Sequence, residues 1–487
     1  MKLGNDQVVS IICDRTLRYP QAGEYFSPDQ VFPEYQFGHI AKGGNPAYAA
    51  VRQCLAAAGL DIGHFGMPTW NPLGSYVAPG NKVFVLCNFV KHNIRRDGGS
   101  MLAKCTHASI VRAVIDYVLL ALGGQGSVRF GNAPLQSADW DRVTHETGAQ
   151  SVQEFYTRFG KSDLPVQLVD LRQHIVRRTA LGMVEPVYHE GGAESCVPVD
   201  LASDSLLDEL YQSGRNPKFR VLDYDYRRTE GCHSKGRHVY LVNKLILDSD
   251  VIISIPKLKT HEKVGFTCGI KGCVGAVGHK DCLAHHRYGP PQSGGDEYPD
   301  ELSILKPISR LHDAVYSRQP GRAQKALHLL NHFSRMAVRR FTRSLGGAWP
   351  GNDTCWRMAV DLARVVEYAT HEGHMQLEKQ RRHIMLTDGI VGGEGDGPLS
   401  PRPVCLGYLS FSDNIALGDY VNCLAMGFNP EKIPMIREAF RLDKYRIAGA
   451  SGLDVDVRFN GNALQISDLP TQLGRKFLPP REWRRYL

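Results

Sequence analysis

A short apolar run that stops at a proline constrains the fold of this chain more than any other feature. The run covers Val251–Ile255 and ends at Pro256, and the thirty residues that follow carry five lysines and four histidines. A continuous apolar run of this length is typical of a parallel strand buried on both faces. In open α/β sheets, ligands bind just beyond the carboxyl ends of such strands. We therefore expect a site for a small anionic ligand directly after Pro256.

Other segments predict the rest of an α/β fold. Apolar runs predict strands near residues 83, 127, 384 and 404, and helical spacing predicts helices over 109–122, 358–369 and 414–426. The first strand, helix and strand form a parallel βαβ unit. The sequence thus predicts a mostly parallel sheet with flanking helices. We divide the chain into four parts. An irregular N-terminal segment covers 1–45, a single α/β domain covers 46–300 and 350–440, a basic helical insertion covers 301–349, and a C-terminal extension covers 441–487.

Composition excludes several classes of protein. The first residues lack the apolar run of a secretory signal, and no stretch holds the eighteen or more apolar residues of a membrane span. Twelve cysteines at irregular spacings, without a C-x-x-C pair, argue against iron–sulfur clusters, zinc ribbons and a disulfide framework. We expect a cytoplasmic protein with reduced thiols. The net charge of +8 has no nucleic-acid-binding signature beside it, so no nucleic-acid partner is expected.

The cationic segment that follows Pro256 suits anion binding and proton transfer. Ammonium groups near glycine N–H groups hold phosphate or carboxylate oxygens, and imidazoles move protons near neutral pH. The Gly-Lys-Ser/Thr of a nucleotide-binding P-loop is absent, since Gly278 precedes His279 and Lys280. The alternative is a solvated basic loop whose histidines cap or pack.

Carboxylates near residue 390 suggest a divalent metal. Asp388 is predicted to end a strand, and Glu394 and Asp413 follow at glycine-rich spacings. Such hard oxygen ligands suit Mg²⁺ or Mn²⁺ shared with a substrate phosphate, which makes a divalent metal the candidate cofactor. The alternative is that Asp388 and Asp413 cap turns.

Residues 322–343 hold six cations and no acid. Apolar side chains recur on one helical face, at Ala326, Leu330, Phe333, Ala337 and Phe341. A basic amphipathic helix can lie on anionic lipid, which predicts peripheral membrane contact at the inner face. The alternative is a surface helix packed on its own domain.

Several motifs resemble the family known as domain of unknown function 362. They are P-K-L-K-T-H (256–261), F-T-C-G-I-K-G (266–272), G-H-K-D-C-L-A-H-H-R (278–287), G-N-D-T-C-W-R (351–357) and T-D-G-I-V-G-G-E-G-D-G-P (387–398). The similarity extends over roughly residues 45 to 440. The chain is most similar to the long subgroup found beside bacterial surface-polysaccharide genes.

The resemblance implies a set of site residues. The catalytic candidates are His261, His285, His286, Lys271 and Asp388. The substrate-binding candidates are Asn88, Lys257, Lys259, Thr260, Thr267, Lys280, Gly395 and Gly397. The metal candidates are Asp388, Glu394 and Asp413. Cys268, Cys273 and Cys282 stand where the family carries other residues, so we expect buried thiols there rather than nucleophiles.

The order of His261, Gly-x-Lys at 269–271 and His285 with His286 is weakly similar to the lactate racemase type of α/β architecture. In those enzymes the lysine holds a nickel cofactor and the histidines ligate nickel or move protons. Their Asp-x-Thr-Arg-Pro signature has no counterpart here, which argues against a nickel pincer.

Together the motifs predict an enzyme for a small anionic substrate, namely a sugar phosphate, nucleotide sugar or hydroxy acid. Two-sided proton transfer favours an isomerase or epimerase in surface-polysaccharide metabolism. One alternative is a metal-assisted phosphoryl or glycosyl transferase. The other is a non-catalytic protein that binds a nucleotide or glycan precursor.

Overall fold

The structure is a computed structural model of the chain. It describes residues 7–21, 23–93, 100–160, 164–178, 184–188, 195–211, 214, 216–221, 225–316, 322–449 and 455–487.

The described chain alternates strands and helices. The strands are β1 (Val8–Cys13), β2 (Lys82–Cys87), β3 (Ser127–Asn132), β4 (Val166–Asp170), β5 (His174–Arg178), β6 (Val184–Tyr188), β7 (Cys196–Asp200), β8 (Phe219–Arg220), β9 (His233–Ser234), β10 (Arg237–Asn243), β11 (Val251–Ile255), β12 (Lys257–His261), β13 (Gly265–Thr267), β14 (His286–Arg287), β15 (Arg382–Glu394), β16 (Arg402–Ser412), β17 (Asp456–Phe459) and β18 (Asn462–Leu464). The helices are α1 (Pro46–Ala57), α2 (Met101–Lys104), α3 (Ala108–Leu122), α4 (Trp140–Thr147), α5 (Ala149–Phe159), α6 (Tyr226–Cys232), α7 (Lys244–Leu247), α8 (Gly269–Gly272), α9 (Lys306–Tyr316), α10 (Arg322–Phe341), α11 (Cys355–Tyr368), α12 (Ile415–Ala425), α13 (Pro434–Ala439) and α14 (Leu469–Leu473).

One large sheet organises the molecule. Its strand order is β18-β17-β1-β16-β15-β11-β2-β3-β4, with β12 beside the far part of β15 and β13 beside β12. The neighbours from β15 to β4 run parallel, which confirms the predicted α/β class with a mostly parallel sheet and flanking helices. The strand predicted near residue 404 is β16, and it runs antiparallel to β15.

The sheet is buried on both faces, as the apolar run predicted. Alternate residues of β11 enter different cores: Val251, Ile253 and Ile255 pack with α1 and α3, whereas Ile252 packs with α11 and α12. This alternation follows from the two-residue period of a strand. All five residues of β11 are buried, and after Pro256 the chain continues as β12, which pairs with the far part of β15 in the same sheet.

Both chain ends contribute to this sheet, which the sequence analysis did not foresee. β1 lies between β16 and β17, antiparallel to the first and parallel to the second. The prediction of an irregular segment over 1–45 is therefore wrong for Val8–Cys13, whose four central residues are buried. A six-residue apolar run forms a strand here because two neighbouring strands supply its hydrogen bonds.

The 301–349 region contains the two helices α9 and α10. The apolar face that the sequence predicts for α10 is not packed on the domain. Val338 packs in a small core with Tyr298, Leu305 and Leu345. The apolar side chains on the opposite face of α10 point outward, and Phe333 and Phe341 are 63% and 83% exposed. Within the described ranges, no helix has both the length and the apolar content that a bilayer crossing requires.

A buried ion pair ties β12 to the middle of β15. Lys257 Nζ lies 2.9 Å from Asp388 Oδ2, and both side chains are fully buried. Tyr19 donates its hydroxyl proton to Asp388 Oδ1 at 2.5 Å, and the His107 backbone N–H donates to Asp388 Oδ2 at 2.9 Å. The N-terminal segment, β12 and α3 therefore meet at one carboxylate.

We predict that Asp388→Ala destabilises the fold strongly. The change leaves a buried ammonium group without its counter-charge, which costs on the order of 3–5 kcal/mol. Chemical denaturation followed by circular dichroism measures the loss. Asp456→Ala, which breaks an exposed ion pair with Arg458, is the control and should cost under about 1 kcal/mol. Equal losses in the two variants would contradict this assignment.

Candidate functional site

The segment after Pro256 is folded and buried. It forms β12, β13, α8 and two short 3-10 helices before it reaches β14. No residue between Val251 and His286 is exposed. The alternative of a solvated basic loop is therefore wrong, and the cations of this segment lie inside the protein.

Several predicted substrate-binding residues bind each other. Lys259 Nζ donates to Asn88 Oδ1 and to the Lys104 carbonyl, both at 2.5 Å. Thr260 donates its hydroxyl proton to the Gly395 carbonyl at 2.7 Å. These contacts anchor β12, and they occupy the polar groups that the sequence analysis assigned to a ligand.

Gly397 and Thr267 support the same strand. A Cβ atom at Gly397 would lie 2.1 Å from the Thr260 carbonyl oxygen, so a glycine is needed where the two backbones approach. Thr267 is buried and pairs with Lys259 across β12 and β13. The close approach is between two protein segments rather than between the protein and a ligand.

A second group of side chains differs in its contacts, and we call it the Lys/His cluster. Its members are His261, Lys263, Lys271 and His285. Lys271 and Lys263 each lower the pKa of both imidazoles, whereas Lys259 and Lys280 each act on one of them. Lys271 is only 7% exposed and has neither a hydrogen-bond partner nor an ion-pair partner within the described chain. Lys263 donates to the Gly346 carbonyl and to no carboxylate among those residues.

Hydrogen bonds fix complementary tautomers on the two imidazoles of the cluster. His261 Nδ1 accepts from the Lys263 backbone N–H at 3.1 Å, so a neutral ring carries its proton on Nε2. His285 Nδ1 lies 3.0 Å from the Leu283 carbonyl, which can only accept, so a neutral ring has a bare Nε2. In the described structure neither Nε2 atom has another partner. His261 therefore presents a hydrogen-bond donor and His285 presents a proton acceptor.

The electrostatics of the cluster favour a bound anion. Burial, followed by the charge of Lys271, holds the pKa values of His261 and His285 well below the usual value of histidine. Burial also lowers the pKa of Lys271, and it lowers the pKa of Lys280 to about 7. Buried cations without counter-charges are costly, and an anion among them would offset that cost.

A cavity of about 120 Å³ adjoins Lys263. Three arginines line it, namely Arg335, Arg339 and Arg343, together with Glu262 and Asp396. The first two arginines belong to α10, so the basic insertion supplies cations to this cavity. A volume of this size holds about four water molecules, or one phosphate or carboxylate group with a few more atoms.

The remaining catalytic candidates lie elsewhere. Asp388 is in the middle of β15 rather than at a strand end, and both of its carboxylate oxygens accept from protein donors. His286 lines a small separate cavity with Arg220 and Asp313. Lys280 donates to the Val274 carbonyl at 2.6 Å. Of the five predicted catalytic residues, the Lys/His cluster contains His261, His285 and Lys271.

The predicted metal ligands cannot share one ion. Glu394 pairs with Arg402 at one end of the β15–β16 ladder, while Asp413 follows Ser412, which pairs with Met385 at the other end. Nine residues of strand separate these positions by roughly 30 Å. Glu394 instead accepts from the Leu478 backbone N–H at 3.0 Å and faces Arg475. The carboxylates are far apart because the Gly-rich segment is a strand and not a loop.

Sequence reasoning missed three residues that matter here. Tyr19 completes the Asp388 site from 369 residues away, and no local pattern marks it. Lys263 lies in the cationic segment but was not assigned a role. Cys355 begins α11, the helix that packs on α8 where Lys271 lies, and burial raises the pKa of its thiol. Its position within the G-N-D-T-C-W-R motif was the available signal.

One pair of cysteines departs from the expectation of reduced thiols. Cys232 and Cys282 are joined as a disulfide with Cα atoms 5.6 Å apart. The other ten cysteines are free, and most of them are buried. Cys268 and Cys273 are among those buried thiols, as predicted.

Comparisons with known proteins support the family at a coarse level. Residues 205–423 match the family model described as Domain of unknown function (DUF362). Curated proteins gave no match. Among solved structures, the chain is similar to the crystal structure of a protein from Thermotoga maritima, a structural genomics target, at 12% identity and a TM-score of 0.34. The similarity covers 77% of this chain and 58% of that one, so the chain spans less than two thirds of that protein.

We predict that sulfate binds the Lys/His cluster and that its affinity falls as pH rises above about 7. Lys259 and Lys280 lie outside the cluster, but their charges act on His261 and His285 respectively, and burial lowers the pKa of each lysine to about 7. An anion favours their charged forms, so binding is strongest when both are already protonated and weakens when protons must be taken up. Isothermal titration at low ionic strength measures the affinity.

In the same titration, Lys271→Met should weaken sulfate binding about tenfold to a hundredfold, since a hydrogen bond to a charged group contributes about 1.5–3 kcal/mol. Lys235→Met, which changes an exposed lysine, is the matched control. Equal affinities for the two variants, or an affinity that rises with pH, would contradict the assignment.

Proposed function

We propose that the protein is an isomerase or epimerase that removes a proton from a small anionic substrate and returns it. The observation that carries this proposal is the Lys/His cluster, where one buried lysine has no partner among the described residues and two imidazoles hold opposite tautomers. A purely structural set of cations would be satisfied by protein acceptors, as Lys257 and Lys259 are.

Each member of the cluster has a role in this mechanism. Lys271 and Lys263 hold the phosphate or carboxylate of the substrate. His285 accepts the proton that leaves the substrate carbon on its bare Nε2 and returns it from there, while neutral His261 donates a hydrogen bond from Nε2 to the substrate oxygen on which negative charge develops. The bound anion raises the pKa of His285, because negative charge stabilises imidazolium, and so brings this imidazole towards the pH at which it exchanges protons efficiently.

The size and lining of the neighbouring cavity favour a sugar phosphate or a hydroxy acid over a nucleotide sugar. Its volume of about 120 Å³ accommodates an anionic group but not a nucleotide. The resemblance of the motifs to the subgroup beside surface-polysaccharide genes supports a place in polysaccharide metabolism, and we propose a cytoplasmic setting on the same basis.

Two other functions use the same cations. A metal-assisted phosphoryl or glycosyl transferase needs carboxylates beside the substrate, and the separation of Asp388, Glu394 and Asp413 disfavours it. A non-catalytic binding protein needs the anion contacts but no paired tautomers. The tautomers of His261 and His285 therefore favour catalysis.

Deuterium exchange tests the proposed reaction. The protein is incubated in D₂O with a panel of sugar phosphates and 2-hydroxy acids, and mass spectrometry measures carbon-bound deuterium. We expect exchange into at least one anion that binds. His261→Gln and His285→Gln should lower the exchange rate about a hundredfold or more while binding stays within a few-fold, because general acid–base groups act on the rate. Lys271→Met should lose binding.

The control for this experiment is His371→Gln, since His371 is exposed and lies outside the site. An anion that binds the cluster without any exchange would support the binding protein instead. Release or transfer of phosphate without exchange would support the transferase. Unchanged exchange in His285→Gln would overturn the assignment of the base.

We also propose that the outward face of α10 rests on an anionic lipid surface. The exposed side chains on this face are Leu330, Phe333, Met336 and Phe341. Arg339, Arg340 and Arg343 flank them, and α10 has no acid in its first turn and two arginines in its last. Apolar side chains bordered by cations match the acyl boundary and headgroups of an anionic bilayer. A protein partner is the alternative outcome.

We predict that Phe333→Ser with Phe341→Ser lowers binding to phosphatidylglycerol vesicles at least tenfold, since each exposed aromatic contributes about 1.5–3 kcal/mol when buried. Co-sedimentation measures the bound fraction. Leu377→Ser, an exposed apolar residue away from α10, should have no effect. Equal binding of wild-type protein to phosphatidylcholine vesicles, or a dimer that the double variant abolishes, would contradict the lipid assignment.

A further inference from the structure

A second group of titratable side chains lies outside the Lys/His cluster. His174 is the first residue of β5, while His279 and Asp281 lie between α8 and β14. All three side chains are buried. One nitrogen from each histidine and one oxygen from Asp281 lie within 4.8 Å of one another. No residue of the Lys/His cluster belongs to this group.

Two atoms of the group are buried without hydrogen-bond partners among the described residues. They are His279 Nδ1 and Asp281 Oδ1. A buried polar atom without a partner costs about 1–3 kcal/mol, so native proteins rarely keep two in one place unless something else binds them. When the His279 proton is on Nε2, two imidazole nitrogens and a carboxylate oxygen can all act as lone-pair donors. A cation is the ligand that satisfies such atoms together.

We propose that His174, His279 and Asp281 bind a divalent transition-metal ion of the Zn²⁺ type. Two imidazoles with one carboxylate suit zinc and its neighbours rather than Mg²⁺ or Ca²⁺, which prefer oxygen ligands. Burial keeps both imidazoles in the neutral form that binds metal, since it lowers the pKa of His174 to about 4 and of His279 to about 3.

Several side chains surround His174, His279 and Asp281, and one of them competes with a metal ion for His279. The Gln136 side-chain amide lies 3.4 Å from His174 Nδ1 and can fix that ring, as outer-shell groups of metal sites do. Arg172 is neutralised by Asp170 at 2.6 Å. Arg228 donates to His279 Nε2 at 3.0 Å, which places the proton of a neutral ring on Nδ1. A metal at Nδ1 requires the proton to move to Nε2, so the exposed Arg228 side chain must turn away.

The proposed ion has a structural purpose that is separate from the proposed reaction. It would connect β5 to the segment that leads from Lys271 to His285. That segment already contacts the chain before β5 through the Gln173 backbone N–H, which donates to the Gly278 carbonyl at 3.0 Å. The ion would thus hold the segment that positions His285, without contacting the substrate.

Metal titration tests this inference. Protein treated with a chelator is titrated with Zn²⁺ by calorimetry, and Co²⁺ is used as a spectroscopic probe of the ligand set. We expect one ion per chain, bound at least tenfold more weakly by Asp281→Asn and by His279→Gln. Arg228→Ala should bind the ion more tightly, because it removes the competing donor. His371→Gln is the control for binding by surface histidines.

Sulfate titration of the same variants separates a lost site from a lost fold. Asp281→Asn keeps the shape of the side chain, so its affinity for sulfate should remain within a few-fold of the wild type. Zn²⁺ affinity unchanged in both Asp281→Asn and His279→Gln would overturn the proposal, as would the absence of a stoichiometric site in the wild type. If Lys271→Met loses sulfate binding but still binds Zn²⁺, the metal site is established independently of the proposed enzymatic reaction.

Discussion

Burying ammonium groups behind a parallel sheet costs electrostatic free energy, and the structure offsets that cost unevenly. Five lysines of the segment after Pro256 are buried, and within the described chain Lys257 alone among them is ion-paired with a carboxylate. Lys259, Lys263 and Lys280 donate to neutral oxygen atoms, which stabilise charge less well. Lys271 donates to none of the described residues. The account of the site depends on this imbalance, because it makes a bound anion the missing partner.

The central fold could be predicted because its signals are local. The run Val251–Ile255 places apolar side chains on both faces of a strand, and this pattern is typical of a strand buried on both faces. The helices over 109–122, 358–369 and 414–426 correspond to α3, α11 and α12 with small shifts at their ends. The strand at Val8–Cys13 and the role of Tyr19 could not be predicted, since both depend on partners hundreds of residues away.

The candidate site was predicted in part, and the errors have a common physical origin. Glycines at 389, 392 and 393 indicated a flexible loop, yet they lie within β15. Added Cβ atoms there would come within about 3 Å of Tyr408, Phe477 and the Ala103 carbonyl. These glycines make room for close packing, so the strand continues and carries Asp388 and Glu394 to different places. The lysines and histidines are closer in sequence, and three of the five predicted catalytic residues, His261, Lys271 and His285, lie in the Lys/His cluster. On α10 the predicted apolar period is present, and Leu330, Phe333 and Phe341 of the predicted face are exposed and not packed on the domain.

Anomalous diffraction from a crystal soaked in selenate tests the central claim most directly. The account predicts a selenium peak beside Lys271 Nζ, with a selenate oxygen within hydrogen-bonding distance of that nitrogen and with His261 or His285 on the same anion. A structure in which Lys271 Nζ contacts a protein carboxylate, with no selenate among the cluster residues, would contradict it.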